Sequence, residues 1–374
     1  LLCAALPATV AHADARSQAK RMHDRLVGVP PSEAVLTSMA NDIAAGRPSD
    51  AAYTAMQHRA FYDVTLKNFA MPWTNRDQSV FAPLNDYVAT VIGMVRDDVG
   101  FDRVLYDDIL YVGRGGLGVP AYSASSNDHY AALESQGVNL KDNLVQTTQS
   151  SANGLPAEAT AGVMTTRAAA QAFFVAGTNR AMFRYTLLNH LCTDLEQVQD
   201  TTRPPDRIRQ DVSRSPGGDS RVFLNNCIAC HAGMDPMTQA FAYYDYDETA
   251  GRVLYTQGVV RPKYFHNQDT FPAGYSTPDD AWDNYWRKGR NSLLGWDASQ
   301  PGKGQGAKSL GRELAHTDAF ANCQVEKVFR NVCIRAPSDA EDRAKVQAMV
   351  GTFKSSGYQL KRVFADAATY CMGD

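Results

Sequence analysis

The chain has 374 residues, 44% of them hydrophobic and 21% charged, with a formal net charge of −3. That balance suits a globular protein with one large or two ordinary cores and excludes a mostly disordered chain. So small a net charge leaves no polyanion footprint, and no nucleic-acid partner is expected.

In chain order, the first stretch reads LLCAALPATV and is followed by Ala11-His12-Ala13 before the polar Asp14. An apolar run ending in small residues is the close of a secretory signal, so residues 1–13 are expected to be its remnant. Leu2 before Cys3 makes a poor lipobox. No later run holds 18 apolar residues, so no transmembrane segment is expected. Both features point to a periplasmic or secreted protein.

Residues 31–46 open with Pro31-Ser32-Glu33 and close at Gly46, the punctuation of a helix. Val88, Val91, Ile92 and Val95 recur at helical spacing. From Arg114 to Gly162 the chain is rich in Gly, Ser, Asn and Gln and reads as loop, as does 201–219 with Pro204-Pro205 and Pro216-Gly217-Gly218. Gly113-Arg114-Gly115-Gly116-Leu117-Gly118 matches a dinucleotide fingerprint in letters only, because Pro120 and a polar loop follow where a helix must start. Gly302 to Gly306 lacks the ending of a P-loop and also reads as loop. Short strands are expected at Arg252–Tyr255 and Val259–Arg261 around Gln257-Gly258.

Three more helical stripes close the chain: Val325, Val328, Phe329 and Val332; Val346, Met349, Val350 and Phe353; Leu360, Val363, Phe364 and Ala367. Ala336-Pro337 and Lys354 to Gly357 are the turns between them. If these helices are antiparallel neighbours, Cys371 returns to Cys333, leaving Cys192 for Cys323. Spacing alone allows three pairings of these four cysteines. The fold is expected to be mainly α, with long loops and at most a short hairpin. A helical region at 14–113, a loop-rich linker at 114–162 and a further helical region at 163–374 make up the expected organisation.

The chemistry-bearing motif is Cys227-Ile228-Ala229-Cys230-His231. Two thiols about one helical turn apart, with an imidazole adjacent, form the attachment signature of c-type haem. The thiols take the two vinyl groups and His231 supplies the proximal ligand. A zinc site would want four ligands, usually a second such pair, and no second Cys-x-x-Cys exists. A thioredoxin-like pair would stand in a βαβ setting, which the sequence around 227 does not show.

Beyond the motif come Met234-Asp235-Pro236 and then Phe241-Ala242-Tyr243-Tyr244-Asp245. This text resembles the secreted mono-haem, cytochrome c-like domains of uncharacterised function from planctomycete and myxobacterial proteins, whose pattern is C-x-x-C-H-x-x-M-D-P followed by an aromatic and acidic segment. Gly162 to Cys192 looks like the helix pair upstream of that motif, and Ser309 to Arg335 with Gly357-Tyr358-Gln359-Leu360 like the closing helices. Arg25 to Pro31 more loosely resembles the opening of a partner domain. The resemblance implies one haem c, export, and a helical cytochrome c-like haem domain over 163–374.

A second axial ligand must come from another segment. Met234 and Met237 lie too close to His231 to reach around, and Asp235-Pro236 reads as a helix stop. Met164 and His190 rank first, in the segment resembling the upstream helix pair, ahead of His266, His316, Met349 and Met372. Arg203, Arg207, Arg209, Arg214 and Arg221 crowd the approach to the motif. Of these, Arg221 is the nearest candidate for a haem propionate, since guanidinium groups suit carboxylates. Trp282, Tyr285, Trp286 and Arg287 are expected mainly to pack. No catalytic motif such as G-x-S-x-G or H-E-x-x-H is present. The expected function is one-electron transfer by an exported c-type cytochrome, with a redox partner protein. The alternative is a haem enzyme, peroxidase- or oxygenase-like, with an open axial position.

Overall fold

The computed structural model describes residues 14–175, 177–209, 220–265 and 274–373. The expected signal remnant, Arg214 and His266 lie outside them. The described chain is mainly helical.

Side-chain caps set the helix starts. Asp14 caps α1 (Ala15–Val27) by accepting from the Ser17 amide, and Ser32 caps α2 (Glu33–Ala44) by accepting from Val35. Such a cap satisfies one of the amides a helix leaves unpaired at its start. Gly46 turns the chain at φ 74° into α3 (Pro48–Ala55). A π-helical turn (Phe61–Leu66) and α4 (Lys67–Ala70) follow. Next comes α5 (Asp86–Arg96), capped by Asn85, with Val88, Val91, Ile92 and Val95 all buried.

The stretch expected as a linker is structured. It carries α6 (Asp128–Ser135), α7 (Leu140–Asn143), β2 (Leu144–Thr147) and α8 (Gln149–Asn153). β2 pairs antiparallel with β1 (Leu110–Gly113), with Tyr111 opposite Gln146. Tyr130, Leu133, Leu140 and Leu144 enter the main core from this stretch. Elements of four to eight residues carry too few apolar positions to stand out among Gly, Ser and Asn. After Gly113 no helix starts until Asp128, so the glycine-rich run does not cradle a dinucleotide.

Next come α9 (Arg167–Phe173), α10 (Arg180–Thr186), α11 (Ser220–Asn226) and α12 (Ile228–Thr238). The hairpin β3 (Tyr244–Asp247) and β4 (Arg252–Tyr255) corrects the expected pairing. Arg252–Tyr255 pairs backwards with Tyr244–Asp247 and not with Val259–Arg261. The turn is therefore at Glu248 to Gly251, not at Gln257-Gly258. β5 (Ala281–Asp283) pairs with β6 (Lys303–Gln305), which replaces part of the loop expected at Gly302 to Gly306.

The chain closes with α13 (Gly306–Ala315), α14 (Asp318–Cys333), α15 (Ala340–Ser355) and α16 (Leu360–Tyr370). All three expected apolar stripes are buried. α14 packs on both α15 and α16, while α16 also packs on α1 and α3. Phe364 of α16 meets Phe61 and Phe69 edge-on at 5.2 and 5.4 Å. One continuous core thus runs from Ala19 to Cys371. The cysteines stand in pairs, Cys333 with Cys371 and Cys192 with Cys323.

Candidate functional site

Cys227 sits at the junction of α11 and α12. Its amide donates to Phe223, while its carbonyl accepts from the amides of Cys230 and His231. One residue therefore ends the first helix and begins the second. Cys227, Cys230 and His231 fall on the first turn of α12. Both thiols are unpaired and partly exposed, whereas every other described cysteine is bridged. Burial pushes the Cys230 thiol up.

His231 is held from behind. Its Nδ1 lies 3.1 Å from Oδ1 of Asp235, one turn further along α12. Asp235 is fully buried. Arg180 of α10 grips the same carboxylate with two bonds, Nε to Oδ1 at 2.8 Å and Nη2 to Oδ2 at 3.1 Å. Arg209, also fully buried, donates to the Asp235 carbonyl at 2.6 Å and to Thr238 Oγ1 at 2.7 Å. Its guanidinium lies over the Tyr264 ring. Burial alone would push the Asp235 carboxyl up, yet Arg180 and His231 beside it hold it far below the usual carboxylate range. An ionised Asp235 can only accept, so the Nδ1 of His231 that faces it is the donor. Phe223 packs edge-on against the imidazole at 5.2 Å.

Sequence reasoning missed this support. Asp235-Pro236 was expected to stop the helix, but α12 runs through Pro236 to Thr238 and passes into a 3₁₀ turn. Pro236 has no amide to donate back to Ala232, so the helix forfeits that one ladder bond. Among the crowded arginines, Arg209 is the one buried at the site, whereas Arg221 is exposed on α11. The spacing of Arg209 from Asp235 carried no signal, and Arg180 is 55 residues away in sequence.

The two first-ranked distal candidates stand elsewhere. Met164 is buried, with its methyl against Gly311 of α13. His190 is enclosed by Trp73, Tyr87 and Phe320, and its Nε2 is bound to Tyr87 Oη at 2.7 Å. The structure joins His231 to Asp235 and Phe223, not to Met164 or His190. Of the others, His316 bonds to the Arg312 carbonyl, and Met349 belongs to the core of α15.

Trp286 forms the floor behind α12. It is fully buried, and a Cβ added at Gly233 would lie 1.8 Å from its Nε1. Only glycine lets the indole approach so closely. Gly233→Ala is expected to cost about 1–3 kcal/mol, the range for overpacking a dense core, read as a lowered denaturant midpoint. Trp286→Phe in the same chain should restore part of that loss, because it removes the clashing atoms.

Among the described residues no three His, Cys, Asp or Glu side chains converge as a metal-ion cage, which a structural zinc would require. No described helix is long and apolar enough to cross a membrane. No family model matches the chain, and no curated protein or solved structure is significantly similar to it.

Proposed function

We propose that this chain is an exported c-type cytochrome holding one haem at Cys227, Cys230 and His231, and that it carries single electrons to or from a protein partner. The observation that carries the reading is the state of the cysteines. Of the six described cysteines four are paired as disulfides, which suits an oxidising compartment, and the two left free are those of the Cys-x-x-Cys-His motif.

The residues fit the group. Cys227 and Cys230 would form the two thioether links, and His231 Nε2 would be the axial ligand. The haem supplies an iron that alternates between ferrous and ferric states. The chain's own part is to fix the imidazole. Asp235 sets the tautomer and makes the ring a stronger donor, as a carboxylate behind a ligating histidine does. Arg180 and Arg209 hold Asp235 in place and balance its buried charge. Burial of the Asp235–Arg180 pair under α12 keeps that arrangement from relaxing when charge changes nearby.

Export with cytochrome maturation machinery, followed by a reduced spectrum, tests the assignment. A sharp reduced c-type spectrum is expected from the folded protein, and the haem should remain attached to the chain after denaturation, one per chain. Cys227→Ala combined with Cys230→Ala should abolish the covalent haem. Absence of haem from the matured wild-type protein would sink the proposal. Carbon monoxide then separates the two functions. A spectrum unmoved by the gas supports electron transfer, and a clear shift reveals an open position and favours the haem-enzyme reading.

A further inference from the structure

A cavity lies where the β3–β4 hairpin meets the start of α13. Its volume is about 430 Å³, and its lining includes Tyr243, Tyr244, Tyr255, Glu158, Asp280 and Gly306. The three rings form a corner. Tyr255 lies 4.9 Å from Tyr244, tilted to it, and 6.1 Å from Tyr243, edge-on. The Tyr244 hydroxyl donates to the Ala159 carbonyl at 2.6 Å and its ring is fully buried, so Tyr244 backs the partly exposed Tyr255, which the cavity meets.

Asp280 is the unusual member. It is only 8% exposed, yet no described Lys, Arg or His pairs with it, with Asp279 beside it or with Glu158 on the rim. Its backbone is fixed, because its carbonyl accepts from the Gly306 amide at 3.1 Å. The position facing it is a glycine, and a Cβ there would lie 3.2 Å from Asp280 Oδ2. Glycine thus leaves the carboxylate uncovered. Burial and the neighbouring Asp279 push the Asp280 carboxyl up to about 6, the mark of a negative group that its own fold does not compensate. A buried, uncompensated charge costs stability, so its place at the wall of an aromatic cavity calls for a cation from outside.

We infer that this cavity binds a small organic ammonium ion, with Asp280 as counter-ion and Tyr255 and Tyr243 as its aromatic wall. Ring faces attract cations through their quadrupole, and quaternary ammonium groups are recognised by such aromatic corners. A metal ion fits less well, because a hard divalent cation wants six or more oxygens, and no three acidic or metal-binding side chains converge among the described residues. The inference does not depend on the haem assignment.

Calorimetric titration of the intact protein with choline, and with its neutral carbon isostere, tests it. Saturable choline binding at least about tenfold tighter than the isostere is expected. Asp280→Asn should weaken choline about tenfold or more while raising the melting temperature, since it removes an uncompensated charge. Glu158 is exposed, so Glu158→Gln should fold normally and weaken binding by about two- to threefold. Equal binding of the isostere would mean that the cavity reads shape and not charge, and would overturn the inference. So would full affinity in Asp280→Asn, or no saturable choline binding up to about 50 mM, beyond the millimolar range of even weak ligands.

Discussion

Asp235→Ala is expected to lower the unfolding free energy by about 3–5 kcal/mol, the cost of removing one partner from a buried charge pair. The size follows from what is left behind. Arg180 loses the two bonds it makes to this carboxylate while its side chain stays about four-fifths buried. Arg209 keeps its bond to the residue's backbone carbonyl and to Thr238, so the helix end itself should survive. Equilibrium denaturation of the exported protein reads the loss directly. Arg180→Ala offers the reciprocal measurement; it leaves the buried carboxylate its bond to His231, so it should cost somewhat less. If each single change costs less than about 1 kcal/mol, the network is solvent-relaxed and cannot hold His231 rigid.

The same residue gives a spectroscopic readout of the haem proposal. A carboxylate behind a ligating imidazole enriches the ligand and favours the ferric state. Asp235→Asn weakens that push, so the reduction potential is expected to rise by some tens of millivolts, within the span that hydrogen bonding to a ligand controls. A merely structural Asp235 would alter stability and leave the potential unmoved.

How much of this was legible in the sequence depends on the range of each interaction. The stripe Val88, Val91, Ile92, Val95 and the three C-terminal stripes were legible because helix periodicity is local and their burial needed only one packed face. The pairing of Cys333 with Cys371 followed from the turn between antiparallel helices, which is nearly local as well. The motif at 227–231 was legible because its ligands are adjacent. What supports His231 was not, since Arg180 reaches Asp235 from another helix and hydropathy is blind to such a contact. The short elements of 114–162 were hidden for a different reason. Polar and glycine-rich segments acquire their structure from the core they cover, as Tyr130 shows by donating to the Tyr111 carbonyl across to β1. The aromatic cavity around Asp280 assembles residues from four separate stretches, and no one of them signals it.

The Cys192–Cys323 bridge should prove the more stabilising of the two. It spans 131 residues against 38 for Cys333–Cys371, and loop-closure entropy gives upper values of about 5 and about 4 kcal/mol respectively. Position strengthens the ranking. Cys192 ends the segment that holds His190 and Asn189 against Trp73, and that segment follows directly on α10, which carries Arg180. Cys323 anchors it to α14, whose Gln324 also donates to the His190 carbonyl. Cutting this bridge therefore frees the chain leading into the site, whereas cutting Cys333–Cys371 loosens two helices already packed along their length. Cys192→Ser with Cys323→Ser is expected to lower the denaturant midpoint more than Cys333→Ser with Cys371→Ser. The reverse order would mean that packing of the C-terminal helices contributes more than closing the long loop.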